Sequence, residues 1–341
     1  MSIFFATRCL FDRSVFLFVC CGVTAATLFG DDSSCSSASG VTAECESVVS
    51  VPGEAASLLP RGMEFKLVWN DEFAGTELDV SKWNYRTNFW GRRASWFAAP
   101  EDGAVEVKDG CAHLKIVKRA DGSYCSAQLQ TGGLVWDDMQ VESTEKAGSG
   151  LKWPFPKRAP AKFMHKFGYW ECRCRLQEKS GWWSAFWMQS PDNGATIDPR
   201  RSGIEQDIME SFEPGRYIVH AFHYNGYGAD YKRFNAQRAP YTPVPDGAFK
   251  VSYPASLGEF HTFGLLWEED GYTVFVDGKQ SGYKVGKLGD EAVSHAEEFL
   301  LVSTEIKGFR KNNAPVPEAI AACEAGDAFI VDYVRVYDIV K

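Results

Sequence analysis

The chain has 341 residues, 45% hydrophobic and 24% charged, a balance that suits a folded protein and permits one large domain or two smaller ones. A net charge of −9 argues against a nucleic-acid partner, because a phosphate backbone selects for clustered Lys and Arg. Aromatic residues make up 14%, with 11 Trp. An indole N–H needs a partner when buried, so these rings either fill a large core or serve as flat platforms against which sugar faces pack.

At the N-terminus, Arg8 and Arg13 flank the start of a short apolar run, Ser14 to Ala26, that ends in small residues. It is too short to span a bilayer comfortably and reads as the hydrophobic part of a signal peptide over residues 1–30. The expectation is a secreted, periplasmic or cell-surface protein with no membrane-spanning segment once the signal is removed. Residues 31–62 are rich in Ser, Ala, Gly and Pro without a period and read as a flexible linker.

From residue 63 to 341 the pattern is that of one domain. Short apolar or alternating runs such as AVEVKDG, HLKIVKRADG, YWECRCRL, SAFWMQ, TFGLLWEEDG, TVFVDGK and AFIVDYVRVYDIV recur between turn residues. Regular short strands of this kind predict an all-β sandwich or barrel. The Asp-Gly pairs at 109–110, 121–122, 270–271 and 277–278 read as hairpin turns. Helix is expected only at Asp290 to Glu298 and Pro317 to Ala325, and Trp136 to Pro160 reads as a long loop of the sort that often carries function. Of the ten cysteines, three fall in the signal, Cys35 and Cys45 in the linker, and Cys111, Cys125, Cys172, Cys174 and Cys323 in the body. No spacing among them suggests zinc, and most read as small core residues.

The chemistry concentrates in Glu205-Gln206-Asp207-Ile208-Met209-Glu210. On a regular strand Glu205 and Asp207 share a face and Glu210 falls on the other. One extra residue, a β-bulge, returns Glu210 to their side. Three acids on one face favour keeping one of them protonated, which gives a carboxylate to attack and a carboxylic acid to donate. About twenty residues earlier, Trp183 and Trp187 fall on one face of a strand, while Trp182, Phe186 and Met188 fall on the other. This predicts an aromatic floor on one side and core on the other.

With these residues in view, the chain resembles glycoside hydrolase family 16, the group of laminarinases, lichenases, agarases and carrageenases. The resemblance runs in order through Leu67-Val68-Trp69-Asn70-Asp71-Glu72-Phe73, Lys82-Trp83, FGYWECRCRL, GWWSAFWM, the bulged ExDxxE motif, His261-Thr262-Phe263, Val276-Asp277-Gly278-Lys279 and Val331 to Tyr337. It implies a jelly-roll β-sandwich of two antiparallel sheets with the acids in a concave cleft. Glu205 would be the nucleophile, Glu210 the general acid/base and Asp207 the residue between them that tunes their protonation. Trp183 and Trp187 would line the cleft, and His223 and Tyr224 would add to a subsite beside it. The implied activity is retaining, endo-acting cleavage of internal β-linkages in a polysaccharide such as a β-1,3-glucan or an algal galactan. No cofactor is required for catalysis, a structural calcium at Asp332 is allowed, and the enzyme is expected to act as a monomer.

Three features depart from the family pattern. Gln206 stands where an apolar residue is usual, and its amide points to the sheet interface, where it needs a partner. Trp90-Gly91 is followed by Arg92, Arg93, Ala94, Ser95 and Trp96, and the loop from Trp136 is long. Arg92, Arg93, Arg200 and Arg201 are either ordinary surface residues or partners for sulfate or uronate. A lectin-like binding module on the same sandwich would be expected to lose at least one of the three acids. A transglycosylase would keep all three and differ only in the acceptor.

Overall fold

The computed structural model describes residues 43–89, 92–133, 159–193, 196, 198–224, 232–234, 249–252, 257–285 and 293–340. The expected signal peptide, residues 31–42 of the expected linker, Trp90-Gly91 and most of the long loop lie outside these residues, as do the side chains of Arg92 and Arg93.

Among the described residues, eight strands form one antiparallel sheet in the spatial order Lys232–Phe234, Tyr217–Tyr224, Glu205–Glu213, Trp182–Gln189, Phe299–Ile306, Gln128–Gln130 and Asn84–Tyr85, with Phe249–Ser252 also paired to Tyr217–Tyr224. A nine-stranded antiparallel sheet runs Lys279–Val285, Gly271–Val276, His261–Glu268, Gly168–Arg175, Ala328–Val340, Cys111–Lys118 and Val105–Lys108. Glu64–Asp71 pairs with Ala328–Val340, and Tyr124–Ser126 with Cys111–Lys118. The alternation of each strand assigns its faces. Trp170, Cys172 and Cys174 of one sheet meet Trp182, Phe186 and Met188 of the other in a single buried core. This is the two-sheet jelly roll the sequence implied. Asp109-Gly110 and Asp277-Gly278 both adopt left-handed backbone (φ 54° and 71°, 49° and 73°), as a two-residue hairpin turn requires.

Residues 43–62 are not a tether. Cys45–Val48 and Ser57–Pro60 pair as a hairpin, and the described residues from Ala43 onward belong to the same compact unit as the body. The composition misled because the hairpin is fixed by partners far along the chain. It covers the outer face of the nine-stranded sheet, where Tyr169, Glu171, Tyr333, Arg335 and Tyr337 are all buried. Arg335 clasps Glu72 with two bonds (2.9 and 2.7 Å) and donates to Ala55 O and Ser57 Oγ, both at 2.8 Å. Glu171 accepts from Leu58 N–H at 2.7 Å, and Tyr169 donates to Leu58 O at 2.8 Å. Gly264 makes this possible, because a Cβ there would lie 2.0 Å from the Tyr169 hydroxyl. The two motifs at opposite ends of the chain thus meet in the Glu72–Arg335 pair, while Asp71 holds the Trp83 indole at 2.6 Å.

One expected helix is present, at Pro317–Glu324, begun by a proline whose missing N–H costs nothing at that position. The other is absent over its described part, 293–298. There Ser294 is tied to the Trp267 indole and the Tyr272 hydroxyl, and Glu298 bridges His165 through both backbone groups. All six described cysteines, Cys45, Cys111, Cys125, Cys172, Cys174 and Cys323, are free thiols, and four of them are buried.

Burial pushes Glu171 from its ordinary 4.5 up to about 7. A carboxyl whose folded value is raised binds more protons folded than unfolded between those limits, so it favours folding most below 4.5 and loses that contribution as pH rises through 7. The unfolding midpoint should therefore fall as pH rises across this window. Glu171→Gln should shrink the fall, as read by thermal unfolding at a series of pH values.

Candidate active site

The acid strand Glu205–Glu213 lies between the tryptophan strand Trp182–Gln189 and the strand Tyr217–Tyr224. Against the first, Glu205 faces Gln189, Asp207 faces Trp187, and then Met209 faces Phe186 and Glu210 faces Ala185. Ile208 is the extra residue. Both Ile208 and Met209 point into the core and are fully buried, so two consecutive residues face inward and Glu210 swings back to the side of Glu205 and Asp207. Against the other neighbour the same step appears: Asp207 opposes Ala221 and Glu210 opposes Val219.

The bulge is pinned from behind. His220 is buried and its Nδ1 lies against the carbonyl of Ile208, which can only accept, so Nδ1 carries the proton. Its Nε2 then accepts from the Ser281 hydroxyl at 2.8 Å. Burial lowers His220 from 6.5 to about 4, so the ring is neutral near pH 7 and keeps this tautomer.

On the open face, Asp207 is buried and its Oδ2 lies 3.0 Å from His223 Nε2. Glu205 and Glu210 are half-exposed. Gln189 donates to Glu205 Oε2 at 3.1 Å, and its carbonyl accepts from Arg86 at 3.3 Å. That acceptance orients the amide so that its N–H faces the acid. Trp187 donates to Ser303 Oγ at 2.9 Å with the Arg86 guanidinium 5.1 Å over its ring. Trp183 packs against Phe212, 5.3 Å between centroids, with the Arg310 guanidinium 5.3 Å over its ring. Arg310 is itself held by both oxygens of Glu305, a buried residue directly opposite Trp183. Glu210 faces the small Ala185, which in turn faces the small Ser303.

The structure therefore brings together Glu205, Asp207, Glu210, Trp183, Trp187 and His223. Tyr224 does not join them. It follows His223 by one residue, so it has the opposite parity, and its ring packs against the interior cluster. Asp332 lies on the other sheet, where Arg173 and the Cys111 thiol engage its two oxygens. A guanidinium on the carboxylate does not fit a calcium site, which needs six to eight oxygen ligands. Among the described residues, the one group whose ligand atoms lie close enough for a metal (within 4.8 Å) is Glu205, Asp207 and His223, the acid cluster itself. Arg201 is exposed on the short helix Pro199–Ser202. Arg86, Gln189, Glu305 and Arg310 escaped the sequence reading, because they come from separate segments and carry no local spacing signal.

An acid triplet and two tryptophans of the neighbouring strand thus share one face of the eight-stranded sheet. Residues 130–287 match the sequence profile of glycosyl hydrolases family 16. It is 25% identical over 297 residues to glucan endo-1,3-beta-glucosidase A1 of Niallia circulans, covering 80% of this chain and 37% of that protein. It is 25% identical over 213 residues to beta-porphyranase D of Zobellia galactanivorans, covering 59% of this chain and 43% of the relative. The chain thus spans less than half the length of either. In fold it is similar to the laminarinase from Rhodothermus marinus (TM-score 0.57, 20% identity, 82% of this chain and all of that one). It is likewise similar to SCLam, a non-specific endo-beta-1,3(4)-glucanase (TM-score 0.54, 23% identity, 88% and 97%).

Replacing His220 by Leu leaves the Ile208 carbonyl buried without its donor and should cost about 1–3 kcal/mol in urea unfolding. Because the folded ring has a depressed pKa, its stabilising contribution is complete above 6.5 and declines as pH falls toward 4. The cost of the substitution should shrink over that interval.

Proposed function

We propose that this chain is a retaining, endo-acting glycoside hydrolase that cuts internal β-linkages of a polysaccharide. The observation that carries the proposal is the bulge at Ile208, by which Glu205, Asp207 and Glu210 share one face beside Trp183 and Trp187 of the neighbouring strand. In the first step a Glu205 oxygen attacks the anomeric carbon while Glu210 gives its proton to the departing glycosidic oxygen, breaking the C–O bond. In the second, Glu210 takes a proton from water as that water attacks the same carbon, and the bond to Glu205 breaks. Asp207, held by His223, sits between the two carboxyls and shares hydrogen bonds with their changing protonation. The tryptophans hold sugar rings by their faces, and the hydrolase acts as a monomer. Export rests on Arg8, Arg13 and the apolar run Ser14 to Ala26.

The substrate proposed first is a β-1,3-glucan, supported by the relative that aligns with four-fifths of the chain. A specific observation favours a second reading, a sulfated algal galactan: Arg86 and Arg310 bring two guanidiniums to the floor tryptophans. Reducing-end release from laminarin, mixed-linkage glucan, agarose, porphyran and carrageenans should single out one of these. Glu205→Gln should abolish turnover with the fold intact. Glu210→Gln should spare aryl glycosides with good leaving groups far more than the polysaccharide, because those substrates need no acid. Equal, mild losses in the two variants would overturn the assigned roles, and release of the α-anomer first would overturn retention of a β-linkage.

A further inference from the structure

Directly behind Glu205 lies a buried carboxylate with no part in the two-step chemistry. Glu298 is fully buried. Its Oε1 accepts from the backbone N–H of Ile204 at 3.0 Å, and its Oε2 accepts from Gln206 Nε2 at 2.7 Å. These are the residues immediately before and after Glu205. The backbone of Glu298 is fixed in turn by His165, whose N–H and carbonyl pair with it at 3.0 and 2.8 Å. Gly203 lets the chain close on it, because a Cβ there would lie 2.9 Å from Glu298 Oε1 and 2.2 Å from Ser190 Cβ. The Gln206 amide oxygen is buried with no hydrogen-bond partner, so this amide is held through its N–H alone. A buried charge with this many donors is costly to desolvate and costly to unpair. A simpler sheet would carry an apolar residue at both positions.

We propose that Glu298, acting through the Ile204 N–H and the Gln206 side chain, is a positioning residue that fixes the backbone on both sides of Glu205 and couples its own charge to that carboxylate. The proposal rests on Glu205 being the nucleophile. Burial raises Glu298 to about 7, the bonds from Ser294, Ile204 and Gln206 oppose that shift, and the charge of Glu205 adds to it. Among the described residues Glu205 is the charged group that bears on Glu298, since the His165 ring is turned to Asp338. Neutralising Glu205 therefore changes the proton affinity of Glu298.

The test uses the full chain labelled with 13C at the glutamate carboxyl carbon, with Glu298→Gln and Glu205→Gln assigning the resonances. The Glu298 titration should move downward in Glu205→Gln, a readout that needs no substrate. On whichever polysaccharide the wild type cleaves, Glu298→Gln should lower kcat roughly tenfold with KM unchanged, because a displaced nucleophile affects the transition state more than binding. It should also remove an inflection near pH 7 from the kcat profile. Gln206→Ile, which leaves Glu298 in place without its side-chain donor, should lower kcat in the same way and move the Glu298 titration upward. A Glu298 titration indifferent to Glu205→Gln would overturn the proposal, as would an unchanged kcat and pH profile in both variants. A chain inactive on every polysaccharide with the titration shift present would instead overturn the glycosidase reading and leave the coupling established.

Discussion

A strand offers its two faces alternately, so no pair of residues five apart can share a face unless the period is broken once between them. That constraint governs this molecule. The break occurs at Ile208, where a second consecutive side chain turns into the core and the strand resumes with Glu210 on the side of Glu205. A bulge leaves a backbone group out of the ladder, and here the carbonyl of Ile208 is met by a neutral, buried histidine. The acid geometry therefore depends on a core interaction beneath the sheet as much as on the acids themselves. The apolar contacts of Ile208 and Met209 supply the driving force, and the His220 bond removes the penalty of an unpaired carbonyl.

The same logic of burial with compensation recurs on the far sheet. Arg335 has no exposed surface, and a buried guanidinium is tolerable when its N–H groups are satisfied and a counter-charge is near. Glu72 supplies the charge, and the hairpin of residues 43–62 supplies carbonyl and hydroxyl acceptors. The hairpin in turn is ordered because these groups need it. Glu171, one strand over and in register with Arg335, completes the exchange by accepting from Leu58. The segment is thereby held by polar partners and by an apolar cluster in which Leu59 is buried and Cys45 and Val48 are packed.

Two buried acids, Glu298 and Glu305, support the acid face from below and beside. Glu305 orients Arg310 over Trp183, and Glu298 holds the strand on either side of Glu205. Burial alone raises the proton affinity of such groups, and donors or a guanidinium bring it back down. The half-buried carboxylates of the open face are thus backed by buried carboxylates whose charge is met by donors and a guanidinium.

The sequence by itself determined the all-β class, the parity of Trp183 and Trp187 against Trp182 and Phe186, and the need for a bulge between Asp207 and Glu210. Each follows from local period, which one stretch of chain carries in full. It determined also that Gln206 would require a partner, but not that the partner would be Glu298, ninety-two residues away. The order of residues 43–62, the misplaced Tyr224, the occupied Asp332 and the helix that does not form at 293–298 were all decided by tertiary contacts. Composition cannot report them, because hydrogen-bond donors and acceptors from distant strands select among conformations that the local sequence leaves nearly equal in energy.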